Sequence, residues 1–166
     1  MLYLLDANVL IDANRDYYPL HRVPEFWEWL ENAGKNNLVK IPIEVYEEIN
    51  DGDDDLAIWA RQKDIKTFLC FQEEANVSLV SYAIDKGYAY DLTDDEIEEI
   101  GRDPFLIAYA LKDTANRCVV TTEVSKPTRK RANRHLPDVC RELEVSCCNT
   151  FQFLRALDFS TRWNSL

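Results

Sequence analysis

Acidic side chains recur in this chain where a parallel sheet would hand its strands over to helices. In the opening stretch MLYLLDANVLID, Asp6 directly follows the apolar run of residues 2–5, and Asn8 stands two positions on. Glu44, Glu47 and Glu48 follow a second apolar run at 38–41, with Glu44 and Glu48 one helical turn apart on a shared face. Asp103 precedes a proline and an apolar helical pattern, and Glu123 comes two residues after Thr121 at the end of the run CVVT. Each acid alone has a structural role open to it, as a helix cap or a surface residue. Together, three expected strand ends and one helix start deliver acids to the same side of one sheet. Converging carboxylates repel one another unless a hard cation joins them, and oxygen-only ligation suits Mg²⁺ or Mn²⁺. The matching chemistry is metal-assisted hydrolysis of a phosphodiester, in which water is the nucleophile and no covalent intermediate is required.

The elements that must position these acids follow from hydrophobic periodicity. Residues 2–5, 38–41, 118–121 and 144–148 are short apolar runs of the kind that strands buried on both faces show. Between them, helical spacing predicts a helix beginning near Val9, one after Pro24 that Gly34 terminates, and one begun at Pro42 with Val45, Tyr46 and Ile49 on a single face. An acid cap at 53–55 opens another through Leu69, residues 73–86 read as helix closed by Gly87, and Thr93 with Glu96 forms a capping box. Asp103-Pro104 starts a further helix and residues 151–157 a last one. Strands alternating with helices imply a three-layer α/β/α sandwich around a central parallel sheet of four or five strands. Working residues then belong just beyond the carboxyl ends of the strands.

Composition narrows the class further. With 166 residues and 46% apolar content the chain reads as one globular domain over 1–166, without repeats or a linker-like segment. No basic leader and no apolar run of about 20 residues appears, so a cytoplasmic protein with no membrane segment is expected. The five cysteines lack the paired spacing of a structural zinc site and are expected as reduced, mostly buried thiols. A net charge of −11 argues against coating nucleic acid by general electrostatics. Residues 126–135, KPTRKRANRH, reverse that sign, and Lys126, Arg129, Lys130, Arg131 and Arg134 form either a solvated loop or a set of phosphate contacts. His21 and His135 are too few for a histidine-based metal site.

Four stretches in order resemble the motifs of PIN-domain ribonucleases: LLDANVLID, P-x-x-V-x-x-E-I from Pro42 to Ile49, DPFLIAYAL, and VVTTE. The branch they look most like is the toxins of bacterial and archaeal toxin–antitoxin pairs. That resemblance implies a PIN-like fold and Mg²⁺- or Mn²⁺-dependent endoribonuclease activity. It further implies Asp6, Glu48, Asp103 and Glu123 as metal-site acids, with Asn8 and Thr121 as polar supports. It also implies an RNA substrate, a homodimer and an antitoxin protein that blocks the cleft. Two positions depart from the pattern: Glu123 stands where many relatives have Asp, with Asp138 in LPDVC a rival, and Glu44 competes with Glu48.

Other classes have less behind them. An aspartyl-phosphate transferase of the dehalogenase-like type wants a second Asp where Asn8 stands. No phosphate-binding G-x-x-x-x-G-K-[ST] loop or dinucleotide G-x-G-x-x-G is present. The remaining alternatives are a non-catalytic PIN-like scaffold that binds protein or RNA, and a DNA-directed nuclease of the same kind.

Overall fold

The computed structural model describes residues 1–164 of the protein. Four strands, β1 (Leu2–Leu5), β2 (Val39–Lys40), β3 (Arg117–Thr121) and β4 (Ser146–Asn149), form one sheet in the order β2-β1-β3-β4, and every pairing is parallel. Ten α-helices connect and cover them: α1 (Ala7–Asp12), α2 (Pro24–Lys35), α3 (Ile43–Asn50), α4 (Asp55–Ala60), α5 (Lys63–Leu69), α6 (Val77–Tyr82), α7 (Asp94–Ile100), α8 (Asp103–Leu111), α9 (Leu136–Glu142) and α10 (Thr150–Ala156). The architecture is an α/β/α sandwich.

Strand alternation decides which side chains meet which layer. Tyr3 sits beside Cys118 in register and packs on Phe153 of α10, whose ring also meets Trp29 of α2, so α2 and α10 cover that face. Leu4, Val119 and Cys147 point the other way, where the Cys140 thiol of α9 lies close to Cys147. Continuing the same alternation one step past Leu5 puts Asp6 on the α9 side, and Thr121 falls on it too. Leu5 is paired with Val120, so Asp6 and Thr121 emerge as neighbours; the Asp6 N–H donates to the Val120 carbonyl at 3.0 Å.

The expected elements appear with some changes of boundary. The first helix begins at Ala7 rather than near Val9, and α2 runs one residue past Gly34. The helix expected from 53–55 through Leu69 is two helices. Arg61 ends α4 by donating to the carbonyls of Asn50 and Gly52, and the extended Gln62 starts the chain again into α5. In the 73–86 stretch, Glu73 leaves the helical path to pair with Arg117 at 2.8 Å. Asn76 then caps α6, and a π-helical turn over Ala83–Tyr88 carries the chain through Gly87. All five cysteines are free thiols, three buried and two partly buried. Among the described residues no helix is long and apolar enough to cross a membrane.

Candidate active site

Asp6 occupies the N-cap position of α1 with extended backbone, yet its side chain makes no capping hydrogen bond. The carboxylate instead accepts a hydrogen bond from the Thr121 hydroxyl at 2.8 Å. That same hydroxyl accepts from the Glu123 N–H at 3.2 Å, so one threonine fixes both the acid after β1 and the backbone that carries the acid after β3. A capping role explains neither contact. Asn8 is exposed on α1, and its backbone N–H lies where it favours the ionised form of Asp6.

Asp103 opens α8, where Pro104 follows without needing an N–H donor. Its carboxylate accepts from the hydroxyl of the buried Tyr88 at 3.1 Å. Sequence reasoning did not find Tyr88, and the one signal was its neighbour. A Cβ on Gly87 would stand 2.5 Å from Val139 Cγ1, so only glycine lets this turn lie against α9 and direct Tyr88 inward. Glu123 is held from its far end, accepting the Leu136 N–H at the start of α9 at 2.6 Å, with His135 Nδ1 at 3.9 Å.

The electrostatics join these residues with Glu48 into one cluster. Burial pushes Asp6 up to about 6; the Thr121 hydrogen bond opposes this, and the negative charges of Glu123 and Glu48 add to it. Burial likewise pushes Asp103 up to about 8, reinforced by Asp6 and Glu123, opposed by the Tyr88 hydroxyl and reinforced again by Glu48. Among the described residues, no lysine or arginine forms an ion pair with any of the four acids. Among the described residues, no group of three or more His, Cys, Asp or Glu is drawn tightly enough to hold an ion as it stands. The four carboxylates therefore share a field rather than a point. A donor set made only of oxygens, with no cationic side chain among them, is of the type that hard divalent cations take.

The two rival acids lie elsewhere. Glu44 turns toward Tyr109, whose phenol is pushed up by burial and by the Glu44 carboxylate; Glu44 Oε2 is buried without a hydrogen-bond partner. Glu48, one turn on, is the member of the pair that acts on Asp6 and Asp103. Asp138 is buried and fully engaged, accepting from the Ser125 hydroxyl at 2.5 Å, the Lys126 N–H at 2.6 Å and Arg141 at 2.6 Å. Burial works against its ionisation, but those donors outweigh it and hold the carboxyl below its ordinary value. Asp138 pins the loop after β3 to α9.

The basic segment divides. Arg131 grips Glu96 with two donors at 2.7 and 2.8 Å and Asp91 at 2.7 Å, and Arg134 donates to the carbonyls of Gly87 and Asp138. Both are committed to packing α7, α9 and the turn before Tyr88. Lys126, Arg129 and Lys130 are exposed, and none makes an ion pair among the described residues. Next to the acids, a groove of about 710 Å³ opens along the carboxyl ends of β3 and β4, with Thr121 and Glu123 in its wall.

Fold and site together define an α/β/α sandwich whose parallel sheet carries at its carboxyl edge a set of acids with which, among the described residues, no lysine or arginine pairs. The chain belongs to the family described as a domain of unknown function, DUF4411, whose model matches residues 3–161. No curated protein and no solved structure matches it.

Proposed function

We propose that this protein is a PIN-type, Mg²⁺- or Mn²⁺-dependent endoribonuclease acting as the toxin of a toxin–antitoxin pair. The observation that carries this reading is the electrostatic grouping of Asp6, Glu48, Asp103 and Glu123, from β1, α3, α8 and β3, with no lysine or arginine paired to them among the described residues. Asp6 is buried, Asp103 and Glu123 are half-buried and Glu48 is exposed; burying acids without a partner charge is costly, and a fold retains them where a cation from outside completes the site. Asp6, Asp103, Glu48 and Glu123 would hold the metal, which when bound supplies an activated water and neutralises charge on the phosphate.

The chain's own residues set the geometry. Thr121 fixes the rotamer of Asp6 and the path of the Glu123 backbone, Tyr88 orients Asp103, and the start of α9 steadies the longer arm of Glu123. Asp103, pushed up to about 8, holds its proton near neutrality, whereas Asp6, at about 6, is mostly ionised there, and positive charge entering the cleft favours the ionised form of both. Lys126, Arg129 and Lys130 stand free to receive phosphates of the strand, in keeping with their exposure. The order of the four motifs supports the toxin branch, and with it a homodimer and an antitoxin partner that covers the cleft.

The test is cleavage of structured cellular RNA by partner-free protein in Mn²⁺ or Mg²⁺, with EDTA controls. Metal-dependent cleavage abolished by Asp6→Asn and by Asp103→Asn is the expected result. Cleavage at the wild-type rate by either variant overturns the assignment. Absence of cleavage together with absence of metal binding by calorimetry moves the protein to the non-catalytic scaffold class.

A further inference from the structure

The groove beside the acids has features that metal binding does not use. Its wall continues from Thr121 and Glu123 to Tyr17 and Phe151, whose rings meet edge to face at 5.5 Å and 82°. Both rings are about half exposed, at 50% and 46%, so each leaves a face open to the groove. Large aromatic surfaces are expensive to leave wet, and a planar ring stacked on them removes that exposure.

The polar lining differs along the groove: Asp12, Glu123 and Arg141 carry its charges, while the segment that bears Phe151 offers the amides of Asn149 and Gln152. Asn149 and Gln152 form a reciprocal capping box: Asn149 Oδ1 accepts the Gln152 N–H at 2.9 Å, and Gln152 Oε1 accepts the Asn149 N–H at 2.9 Å. Each oxygen has one of its two acceptor sites taken by the backbone, and both amides keep their NH₂ donors. Between them, Thr150, which also lines the groove, is 6% exposed, and its hydroxyl is buried without a hydrogen-bond partner among the described residues. The volume, about 710 Å³, falls within the roughly 300–1,000 Å³ typical of small-ligand sites.

Resting on the nuclease reading above, we infer that this groove is a nucleobase subsite that takes one unstacked base of the RNA strand next to the scissile phosphate, and that it favours the keto bases uracil and guanine. Single-stranded RNA is read by splaying bases onto aromatic side chains and hydrogen-bonding their edges. Uracil and guanine present carbonyl oxygens where cytosine and adenine present amino groups, and amide NH₂ donors complement the carbonyls. Continuity through Glu123 places the base and the acids on one strand path. Sequence specificity then resides in β4 and α10, outside all four motifs.

The test is binding of the four nucleoside 5′-monophosphates, followed by NMR of the full chain in EDTA, so that the groove is read without catalysis. UMP or GMP is expected to bind about tenfold tighter than AMP and CMP, the discrimination of one good base-edge contact. Phe151→Ala should weaken that binding about tenfold while Phe151→Trp retains it. Thr150→Val should leave Tm unchanged or raised, because an unpaired hydroxyl contributes nothing to folding, while the preference narrows to threefold or less. Equal binding of all four nucleotides and of ribose 5-phosphate, or unaltered binding by Phe151→Ala, overturns the inference even if RNA is cleaved. If RNA is not cleaved but the base preference and its loss in Phe151→Ala are seen, the nuclease reading falls and the base subsite stands.

Discussion

Two buried aspartates on the same face of the sheet have opposite electrostatic fates. Asp138, 2% exposed, accepts from a hydroxyl, a backbone N–H and a guanidinium, and its carboxyl is held below the ordinary range. Asp6, 7% exposed, accepts one side-chain hydrogen bond, from Thr121, faces the charges of Glu48 and Glu123, and is pushed up to about 6. Burial is common to both, so burial does not distinguish a structural acid from a working one. What distinguishes them is whether the fold supplies the compensating donors. The chain provides them for Asp138, which ties a loop to a helix, and withholds them around Asp6 and Asp103.

The sharpest way to break this contrast is chemical. Asp6→Asn or Asp103→Asn should lower single-turnover RNA cleavage by about a thousandfold, the rate equivalent of roughly 4 kcal/mol of lost charge stabilisation. Next in size is the effect of pH on stability without divalent metal. Asp103 and Asp6 have folded pKa values above their ordinary 3.8, at about 8 and about 6, so the folded state binds these protons more tightly than the unfolded state does. Their contribution to stability is complete below about pH 4 and is lost as pH rises through 6 and 8, amounting to a few kcal/mol. Denaturant melts across that window should show the fall, Asp103→Asn should flatten its upper part, and Mn²⁺ should restore stability at the alkaline end in the wild type only.

Asp138→Asn should behave in the opposite sense. It should cost about 1–3 kcal/mol in denaturant melts near neutrality, because the charge that satisfies three donors is gone, while cleavage per folded molecule stays within a few-fold. Since the folded pKa of Asp138 lies below its ordinary value, its contribution is present above about pH 4 and disappears on acidification. The smallest effect belongs to the rim. Replacing Lys126, Arg129 and Lys130 by Gln should weaken RNA binding several-fold and reduce the salt slope by roughly 0.7 per lost phosphate contact, read from binding at several ionic strengths. Arg131→Gln should instead lower Tm by releasing Glu96 and Asp91.

The acids at the sheet edge were legible because strand ends are marked by short apolar runs, and alternation fixes which face the next residue takes. Asp6 and Glu123 follow that rule, Asp103 was marked by the proline that opens its helix, and helical spacing narrowed α3 to Glu44 or Glu48. Choosing between those two required knowing which side of α3 meets Tyr109, a tertiary fact. Tyr88 was hidden for the same reason: its hydroxyl reaches Asp103 only because a π-helical turn at Gly87 packs on α9. The charge run at 126–135 looked uniform in sequence, yet its members differ by what lies opposite them, with two arginines committed to packing and three cationic side chains open to solvent. The helix expected across 53–69 failed where Arg61 bonds to the end of α3, a contact no local pattern encodes.

The hydrogen bond from Thr121 to Asp6 closes over 115 residues of chain. At the usual 5–20 residues per second of synthesis, that separation is about ten seconds of translation. Asp6 leaves the ribosome early and stands without Thr121 or Glu123 for that whole interval, and without α8 for most of it. The nascent chain therefore carries the first acid of the cleft long before it can assemble the rest, and the cleft exists only once β3 joins β1.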